Sequence, residues 1–244
     1  MSHYQKRFTA PDSWHITKKT NLYVVKTAPG PHNRDAMPVG VWLRDHMGLA
    51  LTMREVRQIL NAGDVIVNGR PCRDPSQGIG VFDIISVPKM QKHYRILLNK
   101  KGRFVSIGIS PEDAKTRLAK IRNKTILPGG IVQLNLLYGA NVLGEPKHHP
   151  RDSVVLSLES GGEGRKRFAI VDHFPFQVGH MAMVIGGRHS GRVGKILEIK
   201  ANPGNIPNRV VLEDEEKARF DTVDQYIFMI GRETPAMKAW GIEE

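Results

Sequence analysis

Thr52–Val87 has the sequence TMREVRQILNAGDVIVNGRPCRDPSQGIGVFDIISV, and it opens with the signals of a capped helix. Thr52 and Glu55 form a capping-box pair, in which a hydroxyl and a carboxylate satisfy backbone N–H groups at the helix start. Four apolar residues then fall on one helical face: Met53, Val56, Ile59 and Leu60. Gly63 can take the left-handed conformation that ends a helix. The pattern predicts an amphipathic helix that ends near Gly63.

A short hairpin follows this helix. Val65–Val67 reads as a strand, and Asn68-Gly69 is the strongest two-residue hairpin signal. Arginines come directly after the turn and also lie off the apolar face of the helix: Arg54, Arg57, Arg70 and Arg73. The pattern predicts a small rigid platform that holds cations outward. Such a platform suits folded RNA, because phosphates supply most of the affinity for nucleic acids.

A second helix is predicted just before the platform helix. Pro38 suits the first turn of a helix through Val39–Arg44, and Gly48 ends it. Arg44 adds a cation to this helix, and the capped helix follows after Leu51. Val81–Val87 is predicted as a strand that pairs with Val65–Val67.

Composition points to a polyanionic partner. The chain has 244 residues, 40% hydrophobic and 25% charged, which is ordinary for a globular protein, but its net charge is +12. Residues 1–124 carry 22 Lys and Arg against 9 Asp and Glu, whereas residues 125–244 carry 14 against 15. The excess therefore lies in the first half, which favours RNA as the partner. The alternative is a solvated basic surface that only aids solubility.

The single cysteine, Cys72, excludes an intramolecular disulfide and a cysteine-based zinc site. No apolar run approaches the ~20 residues of a membrane span, and the polar N-terminus does not resemble a signal peptide. We expect a soluble cytoplasmic protein that has no metal site and no contact with a membrane.

Residues 1–37 are predicted to form a basic, weakly structured arm. Its cations include Lys6, Arg7, Lys18 and Lys19. They are expected to thread between RNA segments and to order only on assembly. Trp14 either anchors the arm to the body or stacks on bases, and the sequence leaves both alternatives open.

The pattern changes to β from Tyr94. Tyr94–Leu98 and Phe104–Ile109 bracket a turn that carries Lys101 and Arg103, which predicts a hairpin with a cationic tip. Ser110 and Pro111 then suit the start of a helix over residues 110–124. The basic residues of that helix are predicted to be exposed: Lys115, Arg117, Lys120, Arg122 and Lys124. Further strands are predicted over 131–137, 153–158 and 167–172, in a small barrel or sandwich.

The last third predicts a strand, a glycine-rich loop and another strand over residues 178–196, with a final strand over 226–230. The loop exposes Arg188, His189 and Arg192, which are expected to meet a phosphate backbone. It is not a nucleotide-binding phosphate loop, because Arg192 and Val193 stand where a lysine and a hydroxyl residue are needed.

No set of residues predicts catalysis. Lys89–His93 resembles the lysine signature of class I aminoacyl-tRNA synthetases, but about ninety residues upstream cannot hold the nucleotide-binding domain as well as the arm and platform. The adjacent His148 and His149 cannot both easily face one metal ion, and no nucleophile-elbow pattern is present. No cofactor and no small-molecule substrate are expected.

The residues of the platform resemble the small αα-hairpin RNA-binding fold of several ribosomal proteins, pseudouridine synthases and tyrosyl-tRNA synthetases, and residues 178–199 resemble a KOW motif. Together they resemble one family, the archaeal and eukaryotic S-four-e protein of the small ribosomal subunit. The matching segments run nearly end to end: Ala10-Pro11 with Trp14, Gly30-Pro31-His32, Ala50-Leu51-Thr52, Gly69-Arg70, Asp83-Ile84-Ile85, Lys101-Gly102-Arg103-Phe104, Pro111-Glu112 with Ala114-Lys115, Gly186-Gly187 with Gly191-Arg192, and Ile227–Gly231.

The resemblance implies an α+β, multidomain fold. Its expected parts are a basic N-terminal arm (1–37), a small αα-hairpin-plus-β RNA-binding domain (38–88), a β-rich central domain with one helix (89–174), an SH3-like KOW barrel (175–233) and a C-terminal tail (234–244). The family's arm usually opens with a denser basic run than this chain has. The chain also stops soon after Gly231, without the longer tail of eukaryotic members, which suggests an archaeal member.

The implied function is a non-catalytic constituent of the small ribosomal subunit that binds and braces folded ribosomal RNA beside neighbouring ribosomal proteins. His32 belongs to the matched arm and joins the expected RNA contacts. Two alternatives remain at this point. A pseudouridine synthase would use an aspartate such as Asp74 after Arg73, and uridine isomerisation would reveal it. A transient transcription or translation factor would wash off small subunits.

Overall fold

The computed structural model describes residues 4–32, 35–158 and 168–232. The chain forms two compact units. Unit 1 contains Met1–Leu97 and Arg103–Ala114, and unit 2 contains Leu98–Gly102 and Lys115–Glu244. The predicted tail over residues 234–244 lies outside the described residues.

The helices of unit 1 form where the sequence predicts them. They are α1 (Val39–Val41), which continues as a π-helical turn (Trp42–His46), and α2 (Met53–Asn61). The Thr52 hydroxyl accepts a hydrogen bond from the Glu55 N–H, and the Glu55 carboxylate accepts from the Leu51 N–H over 2.8 Å. The predicted capping box is therefore confirmed, and its carboxylate reaches the residue before the cap.

The strands of unit 1 are short. They are β1 (Tyr4–Lys6), β2 (Tyr23–Val25), β3 (Met37–Pro38), β4 (Ile66–Val67), β5 (Arg70–Pro71), β6 (Gly78–Ile79), β7 (Ile84–Val87), β8 (Lys92–Leu98) and β9 (Phe104–Ile109). A five-stranded sheet has the order β5-β4-β7-β8-β9, while β1 pairs with β2 and β3 with β6. The predicted Asn68-Gly69 hairpin and the hairpin that brackets residues 99–103 are both confirmed.

The core of unit 1 lies between its helices and this sheet. Val56 and Leu60 of α2 are fully buried, as are Ile85 and Ile96 of the central strands. The Trp42 indole N–H donates to the Ser106 hydroxyl on β9 over 2.7 Å. The helices are therefore fixed to the sheet by apolar packing and by a hydrogen bond.

The prediction of a weakly structured arm is wrong for its described residues. β1 and β2 pair antiparallel, with Lys6 opposite Tyr23. Trp14 is buried, and its indole N–H donates to the Ala36 carbonyl. The arm can fold because this tryptophan supplies a large apolar anchor, which settles the alternatives for Trp14 in favour of anchoring.

Asp83 joins the arm to the platform. Its Oδ2 atom accepts from the Gly80 N–H and lies 3.0 Å from Nε2 of the buried His32. Its Oδ1 atom accepts from the Asn68 amide over 2.9 Å. A Cβ atom on Gly80 would lie 2.2 Å from the His32 ring, so only glycine allows this approach.

Unit 2 begins with a five-stranded antiparallel sheet. Its strands are β10 (Thr116–Ile126), β11 (Val132–Leu136), β12 (Asn141–Gly144), β13 (Ser153–Ser157) and β14 (Ala169–Phe174), in the order β12-β11-β10-β13-β14. Its core consists of Ala119, Ile121, Leu134, Leu136, Val142, Val154 and Leu156. The predicted strands of the central region are confirmed, in positions that differ by a few residues.

The predicted helix over residues 110–124 is wrong. The Ser110 hydroxyl does accept from the Asp113 N–H, but the helical turn that follows covers only Asp113–Lys115. From Thr116 the chain is a strand, with Leu118 opposite Val155 on β13. Pairing on both edges of β10 supplies backbone hydrogen bonds and core burial that an isolated helix lacks, so tertiary contacts override the local helix signal. The central domain therefore has no long helix within the described residues.

A second five-stranded antiparallel sheet completes the described part of unit 2. Its strands are β15 (Met181–Val184), β16 (Val193–Lys200), β17 (Arg209–Glu213), β18 (Arg219–Val223) and β19 (Ile227–Gly231), in the order β18-β17-β16-β15-β19. The predicted hairpin of two strands around the glycine-rich loop is β15–β16. The final predicted strand is β19.

Two glycines of the loop between β15 and β16 are required by close packing. A Cβ atom on Gly191 would lie 2.0 Å from the Asn99 carbonyl oxygen, and Gly191 has φ +80°. A Cβ atom on Gly186 would lie 2.6 Å from the Tyr226 ring. These glycines therefore let the loop approach backbone and an aromatic ring within unit 2.

Candidate nucleic-acid interface

Four arginines with exposed side chains lie on or just after regular elements of unit 1. We call Arg54 and Arg57 of α2, together with Arg70 and Arg73 at and after β5, the platform arginines. Arg54, Arg70 and Arg73 form no ion pair with any other described residue. Arg57 donates to the Tyr4 hydroxyl over 3.3 Å. The guanidinium groups remain available for an anion, and arginine can bind a phosphate with two parallel hydrogen bonds.

The turn between β4 and β5 has positive φ at both central residues, 49° at Asn68 and 77° at Gly69. This is the conformation of a type I′ turn. The Asn68 side chain is not directed to solvent, because its carbonyl oxygen accepts from the Ile84 N–H and its amide donates to Asp83. Asn68 therefore shapes the turn, and only Gly69 presents backbone at the surface.

Arg7 and His32 are corrections to the predicted interface. Arg7 is 1% exposed, and its guanidinium donates to the Thr17 carbonyl and to Asp45 Oδ1. His32 is buried against Asp83. Both side chains are used inside unit 1, so neither reaches a phosphate from this position.

Arg44 pairs with Asp45, the carboxylate that also accepts from Arg7. Two of its guanidinium nitrogens donate to Asp45 Oδ2, at 3.2 and 2.8 Å. Asp45 is thus neutralised from two sides, and Arg44 is held in one orientation while remaining half-buried.

The lysines of the arm lie at the surface. Lys6 and Lys19 are exposed, and Lys18 is half-buried and pairs with Asp12. The hydrogen bond from Lys18 holds the pKa of the Asp12 carboxyl below its usual range. The arm therefore presents cations from an ordered scaffold.

The two cations predicted at the tip of the β8–β9 hairpin differ in environment. Lys101 is exposed, and its backbone N–H donates to the Asn99 side chain over 3.0 Å. Arg103 is half-buried and interacts with other described residues.

The loop between β15 and β16 presents one exposed cation, Arg188. Its other two predicted contacts pack on one ring: His189 lies 5.0 Å from the Phe220 centroid, and the Arg192 guanidinium lies 5.5 Å from it. Cations over an aromatic face are stabilised by the ring quadrupole. Both residues are half-buried, so the loop offers fewer free groups than the sequence predicts.

Several basic residues that look like surface cations in the sequence are structural. Arg95, Arg117 and Lys120 are buried. Lys120 Nζ donates to the Asp224 and Gln225 carbonyls at 2.9 and 3.0 Å. Burial lowers the pKa of Lys120 to about 8. The prediction that Arg117 and Lys120 lie on an exposed helical face is therefore wrong.

Unit 1 also has an open depression of about 560 Å³ that the sequence does not predict. We call it the arm depression; Leu22 and Tyr23 at β2 border it on one side, and Leu51 and Thr52 before α2 border it on the other. Its only signal in the sequence is the apolar run Leu22–Val25, and such a run is also typical of a short buried strand.

The residues considered for other chemistry have structural environments. His148 is buried, whereas the His149 side chain is 71% exposed, so the two imidazoles do not share a site. Within residues 4–32, 35–158 and 168–232, no group of three or more His, Cys, Asp and Glu could hold a metal ion. Burial raises the pKa of the Cys72 thiol to about 11. No helix in these same ranges is long and apolar enough to cross a membrane.

Both units contain segments that correspond to known protein families. Four family models match: the RS4NT domain over residues 1–35, the S4 domain over 39–85, the ribosomal family S4e over 90–162 and the KOW motif over 178–213. An S4 domain and a KOW motif in one chain with the S4e region define the class as a multidomain ribosomal-type protein.

Relatives identify the family. The chain is 53% identical to the small ribosomal subunit protein eS4 of Methanospirillum hungatei over the full length of both chains. It is 40% identical to that of Archaeoglobus fulgidus, over 94% of this chain and 93% of the relative. The crystal structure of the 30S ribosomal protein S4e from Thermoplasma acidophilum matches with a TM-score of 0.66 and 27% identity, over 81% of this chain and 96% of that one. The chain belongs to the eS4 family, which confirms the resemblance seen in the sequence.

Proposed function

We propose that the protein is a structural constituent of the small ribosomal subunit, in the cytoplasm, that binds and stabilises folded small-subunit ribosomal RNA. Family membership over the whole chain supports this function, because the relatives are named as small ribosomal subunit proteins. The protein acts in translation by binding, without catalysis or a cofactor.

The observation that carries the proposal is the set of platform arginines on an S4 domain. They are exposed, they lie on α2 or at and just after β5, and none of them has an acidic partner among the described residues. Their backbone is already ordered, so binding to phosphates has to order only the arginine side chains. We assign the main RNA contacts to the platform arginines, with Arg44 and the arm lysines beside them.

Unit 2 has a different role in this proposal. Its residues 125–244 carry 14 Lys and Arg against 15 Asp and Glu, and its other two segments, 98–102 and 115–124, supply all of its positive excess. In the β15–β16 loop, His189 and Arg192 pack on Phe220. Its RNA contacts are therefore assigned to Arg188 and to Lys101 at the hairpin tip. The remaining surface of the near-neutral residues 125–244 is proposed to face neighbouring ribosomal proteins.

The two alternatives lose support on specific grounds. For a pseudouridine synthase, Asp74 would have to act as a nucleophile, but its carboxylate accepts from the Ser76 N–H in a turn of the platform. For a transient factor, the relatives' names offer no support, since they describe subunit proteins.

The test is sedimentation of cell lysate through a sucrose gradient at high salt. Co-migration with the small subunit at about one copy each is the expected result. Displacement to the top of the gradient would contradict a resident role. Incubation of the pure protein with ribosomal RNA, followed by analysis of uridine isomerisation, separately tests the enzymatic alternative.

A further inference from the structure

We propose that the arm depression receives a single unstacked nucleobase of ribosomal RNA. This inference rests on the proposed function, since it names the part of an RNA that this face of unit 1 holds. It assigns a role to exposed apolar side chains that neither the core nor the platform arginines explain.

Three large apolar side chains around the arm depression are exposed. Tyr23 is 56% exposed, Leu22 68% and Leu51 85%. Scattered apolar residues are common on protein surfaces, but these three border one depression. An aromatic ring with flanking aliphatic groups is the kind of surface on which proteins stack single-stranded bases.

The walls of the depression are held before any ligand binds. On one side, Tyr23 lies opposite Lys6 in the β1–β2 ladder. On the other side, the Leu51 N–H donates to Glu55 Oε2 within the capping box. A preformed site retains more of its contact energy as affinity, because less ordering is needed on binding.

Charge favours a nucleotide over an apolar protein segment. Asp45 borders the depression but already accepts from Arg7 and Arg44, and Glu55, which holds Leu51, already accepts from Leu51 and Thr52. The basic groups nearby include Arg44, which borders the depression, and Lys6, which lies opposite Tyr23. A base in the depression would bring its negative phosphates to these cations.

The depression selects an unstacked base without selecting its identity. A base that remains in a duplex has both faces covered by its neighbours, so it cannot stack on Tyr23. Asn21 also borders the depression, and its side-chain amide can hydrogen-bond to a base edge. Every base has an aromatic face, so we expect preference for a bulge or loop over a duplex and weak preference among bases.

The first test uses the full chain and two RNA probes. One is a duplex with a single bulged 2-aminopurine, and the other is the same duplex fully paired. The wild-type protein is expected to quench 2-aminopurine fluorescence and to bind the bulged probe more tightly. Tyr23→Ala should weaken binding of the bulged probe roughly five- to hundredfold and leave the paired duplex unaffected. Phe8→Ala is the matched control, because Phe8 is an exposed aromatic residue of the same arm that does not border the depression.

The second test identifies the occupant in assembled subunits. The photo-crosslinking variant Tyr23→p-benzoylphenylalanine is incorporated into small subunits and irradiated. Crosslinks to ribosomal RNA support the inference, and crosslinks to a ribosomal protein alone overturn it while the proposed function stands. Equal binding of both probes by wild type and Tyr23→Ala overturns it as well. Failure of the wild-type protein to sediment with small subunits would instead remove the proposed function.

Discussion

Asp83 Oδ1 accepts a 2.9 Å hydrogen bond from the side-chain amide of Asn68, so the hairpin turn of the platform is fixed to the start of β7. The other oxygen of the same carboxylate faces His32 of the arm. One buried carboxylate therefore positions both the arm and the hairpin that carries Arg70. The geometry of the candidate interface depends on residues that do not touch the ligand.

The substitution Asn68→Ala is expected to destabilise unit 1 without changing intrinsic RNA affinity. It removes the donor to Asp83 and the acceptor for the Ile84 N–H, and unsatisfied buried groups cost about 1–3 kcal/mol each. Urea unfolding measures the loss, with Asn61→Ala at the exposed end of α2 as the control. RNA affinity that falls more than the unfolded fraction explains would show that Asn68 contacts RNA directly.

Substitution of a single platform arginine should weaken RNA binding in a salt-dependent way. Arg54→Ala, Arg70→Ala and Arg73→Ala should each reduce the slope of log K against log salt concentration by about 1 unit, because each removes about one phosphate contact.

Binding titrations at several salt concentrations measure these slopes. Arg209→Ala is the matched control, because it removes the same charge from an exposed arginine of unit 2. The Nη1 atom of Arg209 lies 3.6 Å from Oδ2 of Asp221, so this arginine already has an acidic partner. Equal effects of the control and the platform substitutions would contradict the assignment of the interface to unit 1.

Lys120 should make the stability of the protein depend on pH above neutrality. Its pKa is about 8 in the folded protein, against an ordinary value of 10.5, because burial disfavours the charged form. Between these values the unfolded state holds more protons on this residue than the folded state. The contribution of Lys120 to the free energy of unfolding therefore rises with pH across that window, by on the order of 3 kcal/mol.

The difference in unfolding free energy between wild type and Lys120→Met isolates this contribution. Urea unfolding at pH 7.5, 9 and 10 should show the difference shift in favour of the wild type as pH rises. The matched control is Lys195→Met, since Lys195 is exposed on β16. A difference that stays constant over this pH range would contradict the depressed pKa.

Two glycines with similar positive φ angles allow the cost of a steric clash to be measured separately from the cost of backbone strain when each is replaced by alanine. Gly191 and Gly204 have φ of +80° and +77°, but a Cβ atom would meet the Asn99 backbone at Gly191 and nothing within 4 Å at Gly204. Gly204→Ala should cost about 1–2 kcal/mol of strain. Gly191→Ala should cost roughly 3 kcal/mol more, because the loop must move away from the hairpin tip.

Thermal unfolding followed by circular dichroism measures both losses. Similar melting temperatures for the two variants would show that the close approach of Gly191 to Asn99 is not required in solution.

Local signals made the platform predictable from sequence. The Thr52–Glu55 pair and the tight turn at Asn68-Gly69 have sequence signals of four residues or fewer, so a short stretch of sequence is enough to predict both. The same applies to the β15–β16 hairpin, whose glycines are spaced closely along the chain. The exposure of Arg54 and Arg57 followed from the position of the apolar face of α2.

The wrong predictions concern residues whose structure or burial depends on contacts with residues far away in the sequence. Ser110 does start a helical turn, but from Thr116 the chain pairs with β13 as a strand. Nothing within residues 110–124 indicates that pairing partner. The sequence predicts Arg7 as a surface cation, because its partner Asp45 lies 38 residues later in the chain. Lys120 is buried because carbonyls more than one hundred residues away accept its hydrogen bonds. Long-range pairing is not encoded in local periodicity.

The division of the chain into two units has a consequence for its synthesis. Leu98–Gly102 belongs to unit 2, whereas every segment of unit 1 precedes Lys115. Unit 1 is therefore completely translated before half of the chain has been made, and unit 2 has to wait for the strands that follow residue 180. Because the platform arginines belong to the earlier unit, we expect a nascent chain to acquire its RNA-binding surface while its second half is still on the synthesising ribosome.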